Sequence, residues 1–586
     1  MREIFKGIKK YIPRLIAAYI LEVLSTLCAV ALPTLMTGVV DNGINAGDMQ
    51  YVYKACAIMA AVTVLDVALI VFSYKLGNEA IIAFNHDLRV RIFGKVLKMP
   101  AKEVKKYGVG GLLTRSLDDA DRICDVAGTV LSVMASIPIT LIAGTVLAFR
   151  KSPLLAGILL AFTPIVVLVV FLCGRNTHKH WHIADEEIDR QNTLIRARLS
   201  GIRVVRAFNQ EPTEQAKIER ATRRMSKSIV RGNMRSELVA PISMFVLNVA
   251  TVLIVAVGAQ QMTKPNTLLT AGGVLAVIEY VGMITTGILN VSYFLSEIPR
   301  FRTNCRRVKE LLTAKDENEG FVRGEELKAD GSIRFENVGF SYTGDGLALS
   351  GVTAEIGAGE TAAFIGGTGS GKSTLVRLLC GLDTPTEGKI FFGDKDISAY
   401  PPVEIRKNIS CVRQRDAVFS GTLKNSVDGA GAHTEDEVRS VLADGQMQGF
   451  LEEKEEGLEY ALGERGSNLS GGQKQRVCIS RALLKDAPIY IFDDSFSALD
   501  FLTESRLRGA LKKRLAGKTQ LIVTQRVSTA RTCDKILVFD GGKLAAVGKH
   551  EELVKNCALY REIHLSQSGE GLTEAEETEA EYEREE

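Results

Sequence analysis

Between Phe364 and Thr374 the chain reads Phe-Ile-Gly-Gly-Thr-Gly-Ser-Gly-Lys-Ser-Thr. Gly366, Gly371, Lys372 and Ser373 satisfy G-x-x-x-x-G-K-S/T, a spacing that wraps a loop around phosphate. Glycines let backbone N–H groups turn inward, and a following helix N-terminus adds a favourable dipole. The candidate phosphate site is therefore Gly366, Gly367, Thr368, Gly369, Ser370, Gly371, Lys372, Ser373 and Thr374. In such a loop the ammonium of Lys372 reaches the β- and γ-phosphates of ATP, and the hydroxyl of Ser373 ligates Mg²⁺. The motif needs a strand before it and a helix after it. Thr361–Ile365 is a short apolar run that suits a buried strand; Leu375–Cys380 reads as helix, with Gly381 placed to end it.

At 586 residues the chain is too long for one core. Its net charge of +3 carries no signal for nucleic acid, and its 10 cysteines contain no C-x-x-C pair, which fits free thiols in a reducing compartment. Apolar residues concentrate before about residue 300 and divide the chain into a membrane half and a soluble half. Six stretches reach the ~20 residues that cross a bilayer: 15–40, 51–74, 128–149, 153–174, 238–262 and 268–294. Three of them carry no charge at all, which disfavours a buried soluble bundle. No cleavable signal peptide is evident, and the segment before the first span is too short for a folded domain.

The connections 41–50, 150–152 and 263–267 carry few basic residues, whereas 1–14, 75–126 and 175–235 are rich in Lys and Arg. The basic segments are therefore expected in the cytoplasm, with both termini inside. Leu88–Val96 and Ile195–Phe208 have apolar residues at helical spacing, so the spans are expected to continue as long cytoplasmic helices. Glu22, Asp66 and Glu279 interrupt apolar runs. A charge in lipid is costly, so each faces a cavity or partner, sits near the end of a tilted span, or packs as a neutral carboxyl. His178 and His182 share a helix face beside Trp181, but two ligands make a poor metal site, and a solvated helix extension is the better reading.

The expected division is a membrane domain over 1–310, a polar linker over 311–331, an α/β nucleotide-binding domain over 332–565, and a Glu-rich disordered tail over 566–586. The soluble half resembles an ABC-type ATPase domain, and the whole chain resembles one half of an ABC exporter. Tyr342 stands where the family stacks adenine, and Gln414 stands at the Q-loop, as a ligand of Mg²⁺ and a catalytic contact. Leu469-Ser470-Gly471-Gly472-Gln473 matches the signature sequence unaltered. Asp493 ends the Walker B run Ile489–Asp494 as a metal ligand, and Ser497-Ala498-Leu499-Asp500 matches the D-loop. Gly201–Asn209 and Gly111–Arg122 look like the two cytoplasmic loops of exporters. The resemblance implies a six-helix transmembrane domain followed by a P-loop ATPase domain, ATP and Mg²⁺ as cofactors, and a dimer in the cell membrane. Two ATPase domains would close head to tail, with Ser470, Gly471, Gly472, Gln473 and Asp500 of one chain completing the site of the other.

Two positions depart from the family. Where it has a catalytic Glu after Asp493, this chain has Asp494, one methylene shorter; where it has a His for the γ-phosphate, this chain has Gln525. General-base geometry tolerates little displacement, and losing a positioned acid or base costs about 10²–10⁴-fold in rate. The expectation is a site that binds ATP and hydrolyses it slowly, next to an intact signature that serves a different partner chain. Drift in a homodimer is the alternative. For the transported compound, amphipathic molecules, drugs or lipids are expected. A regulatory ATP-binding protein, or an exporter-fold importer of metal chelates, would leave the same motifs; oriented vesicle transport separates them.

Overall fold

A computed structural model describes residues 3–174, 177–264, 269–321, 326–342, 344, 346–414 and 417–568. The chain forms two compact units. One comprises Met1–Leu97 and Tyr107–Ala314; the other gathers Lys98–Lys106 with the chain from Lys315 onward.

The first unit is helical. Backbone in hydrocarbon has no water to bond to, so spanning segments close their hydrogen bonds internally. Among the described residues six helices are long and apolar enough to cross a membrane: Ile12–Ile44, Met49–Val96, Ala101–Lys151, Pro153–Leu172, Val239–Met262 and Ala271–Val291. Several overrun a bilayer; Met49–Val96 is 48 residues, against the ~20 needed. Tyr11 donates to Asp87 at 2.6 Å near the far end of that helix. The first span buries Glu22, Ser25, Thr26, Val30, Pro33 and Thr37 on one face. Ser25 donates to Asp66 at 2.6 Å, and Thr34 and the buried Tyr280 share a 2.6 Å hydroxyl contact. Past Gly38 the first helix widens into a π turn, where the carboxylate of Asp41 accepts from Thr270 and from the Gly272 N–H, capping the last span. Of the three intramembrane carboxylates, Asp66 is half-buried and hydrogen-bonded, Glu22 is buried with Oε2 unpartnered, and Glu279 is exposed. The reading of His178, Trp181 and His182 lies outside the described side chains.

The second unit is the α/β half. One four-stranded antiparallel sheet runs Leu349–Ile356, Ile333–Phe340, Glu387–Phe392, Lys395–Asp396. The six-stranded sheet runs, in spatial order, Lys543–Gly548, Lys535–Asp540, Thr361–Gly366, Thr519–Val523, Ile489–Asp493, Ile409–Val412. All its neighbours are parallel except the edge strand Lys543–Gly548. Parallel strands covered on both faces bury every residue. Ala362 and Phe364 face one core and Ala363 and Ile365 the other; Ile491 and Phe492 divide the same way. The register sets Val523 beside both Phe364 and Asp493, so the three central strands end together on one edge. Ligands of open α/β sheets sit at such carboxyl edges.

The stretch 311–331, expected as a linker, is partly built into this unit. Arg406 holds Glu317 in a two-pronged ion pair at 2.8 and 2.9 Å, and Glu317 N donates to Lys98 O at 2.8 Å. Leu327 is buried in the core. Buried Asn408 donates to Leu327 O at 2.5 Å and Glu404 O at 3.0 Å, and accepts from Ala329 N at 3.0 Å. At the other end, the helix Ala558–Ser568 continues past 565 into the stretch expected to be a disordered tail; residues 569–586 lie outside the described residues. Asn408→Ala strands the Leu327 carbonyl and the Ala329 N–H. It should cost about 2 kcal/mol and lower the melting temperature of the purified protein by roughly 5 °C; an unchanged melt would show that these bonds stabilise nothing.

Candidate ATP site

The loop after Thr361–Gly366 opens directly into the helix Lys372–Leu379. Two glycines are demanded by geometry. At Gly366, φ is +155° and a Cβ would lie 2.2 Å from Phe539 O; at Gly371, φ is +97° and a Cβ would lie 2.5 Å from Leu349 Cδ2. The Lys372 ammonium turns back into this loop. It donates to Gly366 O at 2.8 Å, Gly367 O at 2.7 Å and Ser370 Oγ at 3.0 Å, and the residue is only 7% exposed. Burial lowers its pKa, with Asp493 and Asp494 opposing that.

A cavity of about 340 Å³ lies above the loop. Around it stand Tyr342, the run Thr368–Thr374, Gln414, Asp493, Asp494, Thr524 and Gln525. Tyr342 is half exposed, packs edge-on against Phe340 at 4.9 Å, and shares a 3.1 Å contact with the hydroxyl of Thr374, which leaves ring surface free for a base. Ser373 donates to Asp493 Oδ1 at 3.3 Å. Burial raises the Asp493 pKa, aided by Asp494 and opposed by Ser373, Arg413 and Lys372. Phosphate beside Lys372 and a divalent cation beside Asp493 would each favour the charged form that burial resists.

The donor set suits Mg²⁺. Ser373 Oγ, the Asp493 carboxylate and the amide oxygen of Gln414 are hard oxygen ligands, few in number, as Mg²⁺ takes when phosphate and water complete its shell. Among the described residues no cluster of three or more His, Cys, Asp or Glu is gathered for a metal of another kind.

Asp494 follows the strand Ile489–Asp493 in a left-handed conformation, φ +50°, which Asp tolerates better than most residues. Its N–H donates to Val523 O at 3.0 Å, and its carboxylate accepts from Gln414 Nε2 at 3.1 Å. What holds the neighbouring loops is not legible in the sequence. Ser497 Oγ donates to Asp494 O at 2.9 Å; Arg526 donates to Ser497 O at 3.1 Å and to Glu504 at 2.7 Å; Thr529 donates to the other oxygen of Glu504 at 2.7 Å. Glu504 is 5% exposed. This joins the D-loop to the segment bearing Gln525. Only the pairing of Arg526 with a carboxylate on a neighbouring helix could have signalled it, and nothing local in sequence says which one.

The remaining candidates sit elsewhere. Ser470 caps the helix Gly471–Leu484 through a reciprocal pair of bonds with Gln473, 3.2 and 2.8 Å. A Cβ on Gly472 would come 3.2 Å from Ala498 O, so signature and D-loop lie close. Asp500 caps the helix Phe501–Arg514 by accepting from Thr503 N at 2.9 Å. None of Ser470, Gly471, Gly472, Gln473 or Asp500 lines the cavity.

Residues 15–289 match the family model of the ABC transporter transmembrane region, and residues 349–497 match that of the ABC transporter. An ABC transporter ATP-binding protein of Mycobacterium bovis is 30% identical over 94% of this chain and 95% of its own. The chain belongs to the ABC transporter family. An ATP-dependent lipid A-core flippase of Haemophilus ducreyi is 28% identical over 97% of this chain and 98% of its own. The fold matches that of a bacterial Atm1-family ABC exporter with ATP bound, at a TM-score of 0.82 and 23% identity, over 95% of this chain and 98% of the other. This ABC transporter is thus a multi-pass membrane protein of exporter architecture, a half-transporter with fused membrane and ATPase domains. It acts as a dimer, and it is an ATPase-coupled translocase using ATP with Mg²⁺.

Gly366→Ala should abolish ATP binding and lower the melting temperature, because its Cβ meets backbone. Gly367→Ala should keep the melt, since a Cβ there meets nothing within 4 Å. Equal melts for the two variants would show that the loop is not held as described.

Proposed function

We propose that this chain is the slow-site subunit of an ATP-driven exporter that pairs with a different half-transporter. The observation that carries this is the chemistry of the cavity wall. Its acid beside Asp493 is the short Asp494, already engaged by Gln414, and Gln525 lines the cavity where the family resemblance puts a His for the γ-phosphate; it is an amide that neither carries charge nor relays protons. When bound, Mg²⁺ would supply charge neutralisation on the phosphates.

The protein's own residues divide the remaining tasks. Lys372 and the loop N–H groups bind phosphate, Ser373 and Asp493 hold the metal, and Tyr342 offers its ring to the base. Asp494 and Gln525 orient poorly what they would have to activate, so ATP is retained more than it is consumed. Ser470, Gly471, Gly472, Gln473 and Asp500, intact and outside this chain's own cavity, serve the γ-phosphate side of the partner's site. That partner carries Glu and His at the matching positions. Closure of the ATPase pair on ATP, and release after hydrolysis in the good site, would switch the membrane cavity between inward and outward access.

The basic connections argue for cytoplasmic termini and for a cytoplasmic ATPase domain. The lipid A-core flippase among the relatives supports an amphipathic cargo, a drug or lipid.

Mixed with its partner, the chain should hydrolyse ATP briskly; alone, it should turn over slowly. Brisk turnover by the purified chain alone would overturn the heterodimer. Asp494→Glu with Gln525→His should raise turnover at this chain's own site by about 10²-fold, measured with the partner's site disabled; no gain would show that the two positions are not limiting.

A further inference from the structure

We propose that Gln567 is a positioning residue for the γ-phosphate side of this site, clamping the backbone on both sides of Gln525. The proposal rests on the reading of Gln525 as the residue that faces the γ-phosphate. Gln567 Nε2 donates to Gln525 O at 2.7 Å, and Gln567 Oε1 accepts from Val527 N at 2.8 Å. One primary amide thus meets a carbonyl and an N–H two residues apart, as the edge of a peptide strand would. Asn and Gln carry a donor and an acceptor side by side on one planar amide, and Gln has the longer reach.

Both backbone groups need such a partner. Val527 opens the short helix Val527–Ala530, so its N–H has no partner within that helix. Arg526, at the cap position, makes no side-chain cap; its guanidinium is committed to Glu504 and Ser497 O. On the other side of Gln525, Thr524 N donates to Phe364 O at 3.0 Å and Arg526 N to Thr524 Oγ1 at 3.0 Å. Gln567 supplies the remaining hold. It projects from the helix Ala558–Ser568, which is anchored by fully buried Tyr560, whose hydroxyl contacts His550 Nδ1 at 2.8 Å. With its main chain held from outside, the Gln525 side chain keeps its place in the cavity wall. The C-terminal helix thereby bears on how the site distinguishes ATP from ADP, although it contributes no residue to the cavity.

The test uses the purified full-length transporter and competition of ATP and ADP against a fluorescent ATP analogue at this chain's site. Gln567→Met keeps the side-chain length and deletes both bonds; Gln567→Glu keeps the acceptor for Val527 N and deletes the donor. Each should weaken ATP about three- to tenfold with ADP affinity unchanged, because ADP does not extend to Gln525. ATP and ADP weakening together would mark a merely structural contact and overturn the proposal, as would an unchanged ATP-to-ADP preference in both variants. Gln525→Ala, run in parallel, separates the two layers. If it leaves the preference unaltered, the reading of Gln525 fails and the clamp with it. If it lowers the preference and the Gln567 variants do not, the clamp alone fails.

Discussion

An ammonium shut inside a loop made of its own backbone sets the terms for the ATPase unit. Lys372 is almost wholly buried, and its three bonds go to groups of the same loop. A buried cation without such partners would cost several kcal/mol. Those bonds exist only while Gly366 and Gly371 hold positive φ, and those conformations exist only where no side chain collides with Phe539 O or Leu349. The strand Lys535–Asp540, beside Thr361–Gly366, and the strand Leu349–Ile356 of the other sheet thus shape a phosphate site to which they give no chemical group.

Around that loop a run of hydrogen bonds ties neighbouring segments to one another. Asp494 is held at its carboxylate by Gln414 and at its carbonyl by Ser497; Ser497 is held by Arg526, and Arg526 by buried Glu504. The Q-loop, the D-loop and the segment of Gln525 form one chain of hydrogen bonds. The short acid therefore sits in a well-built setting.

The membrane unit uses polar groups sparingly and in pairs. Ser25 with Asp66, Thr34 with Tyr280, and Asp41 with Thr270 and Gly272 each join the first span to another helix. In lipid, apolar contacts between helices have no hydrophobic driving force, so such pairs select which faces meet. Glu22 is a buried carboxyl whose Oε2 meets no partner among the described residues.

Much of this was legible in the residues alone. Long charge-free apolar runs can only be satisfied as helices in lipid, and the loop Gly366–Thr374 needs the strand and helix that flank it; both follow from local chemistry. Fold class, ATP with Mg²⁺, and the membership of Tyr342, Lys372, Ser373, Asp493 and Gln525 in one set came from motif order. The engagement of Asp494 by Gln414, the Arg526–Glu504 pair, the Gln567 clamp, and the docking of Glu317 and Leu327 into the ATPase unit did not. Each joins residues that no period or spacing relates, and each bond exists only because the sheet register and helix packing bring distant stretches within 3 Å or so. Residue types and their order decide what chemistry a chain can do; which group holds which is decided by packing, because hydrogen bonds depend on distance and angle and not on position along the chain.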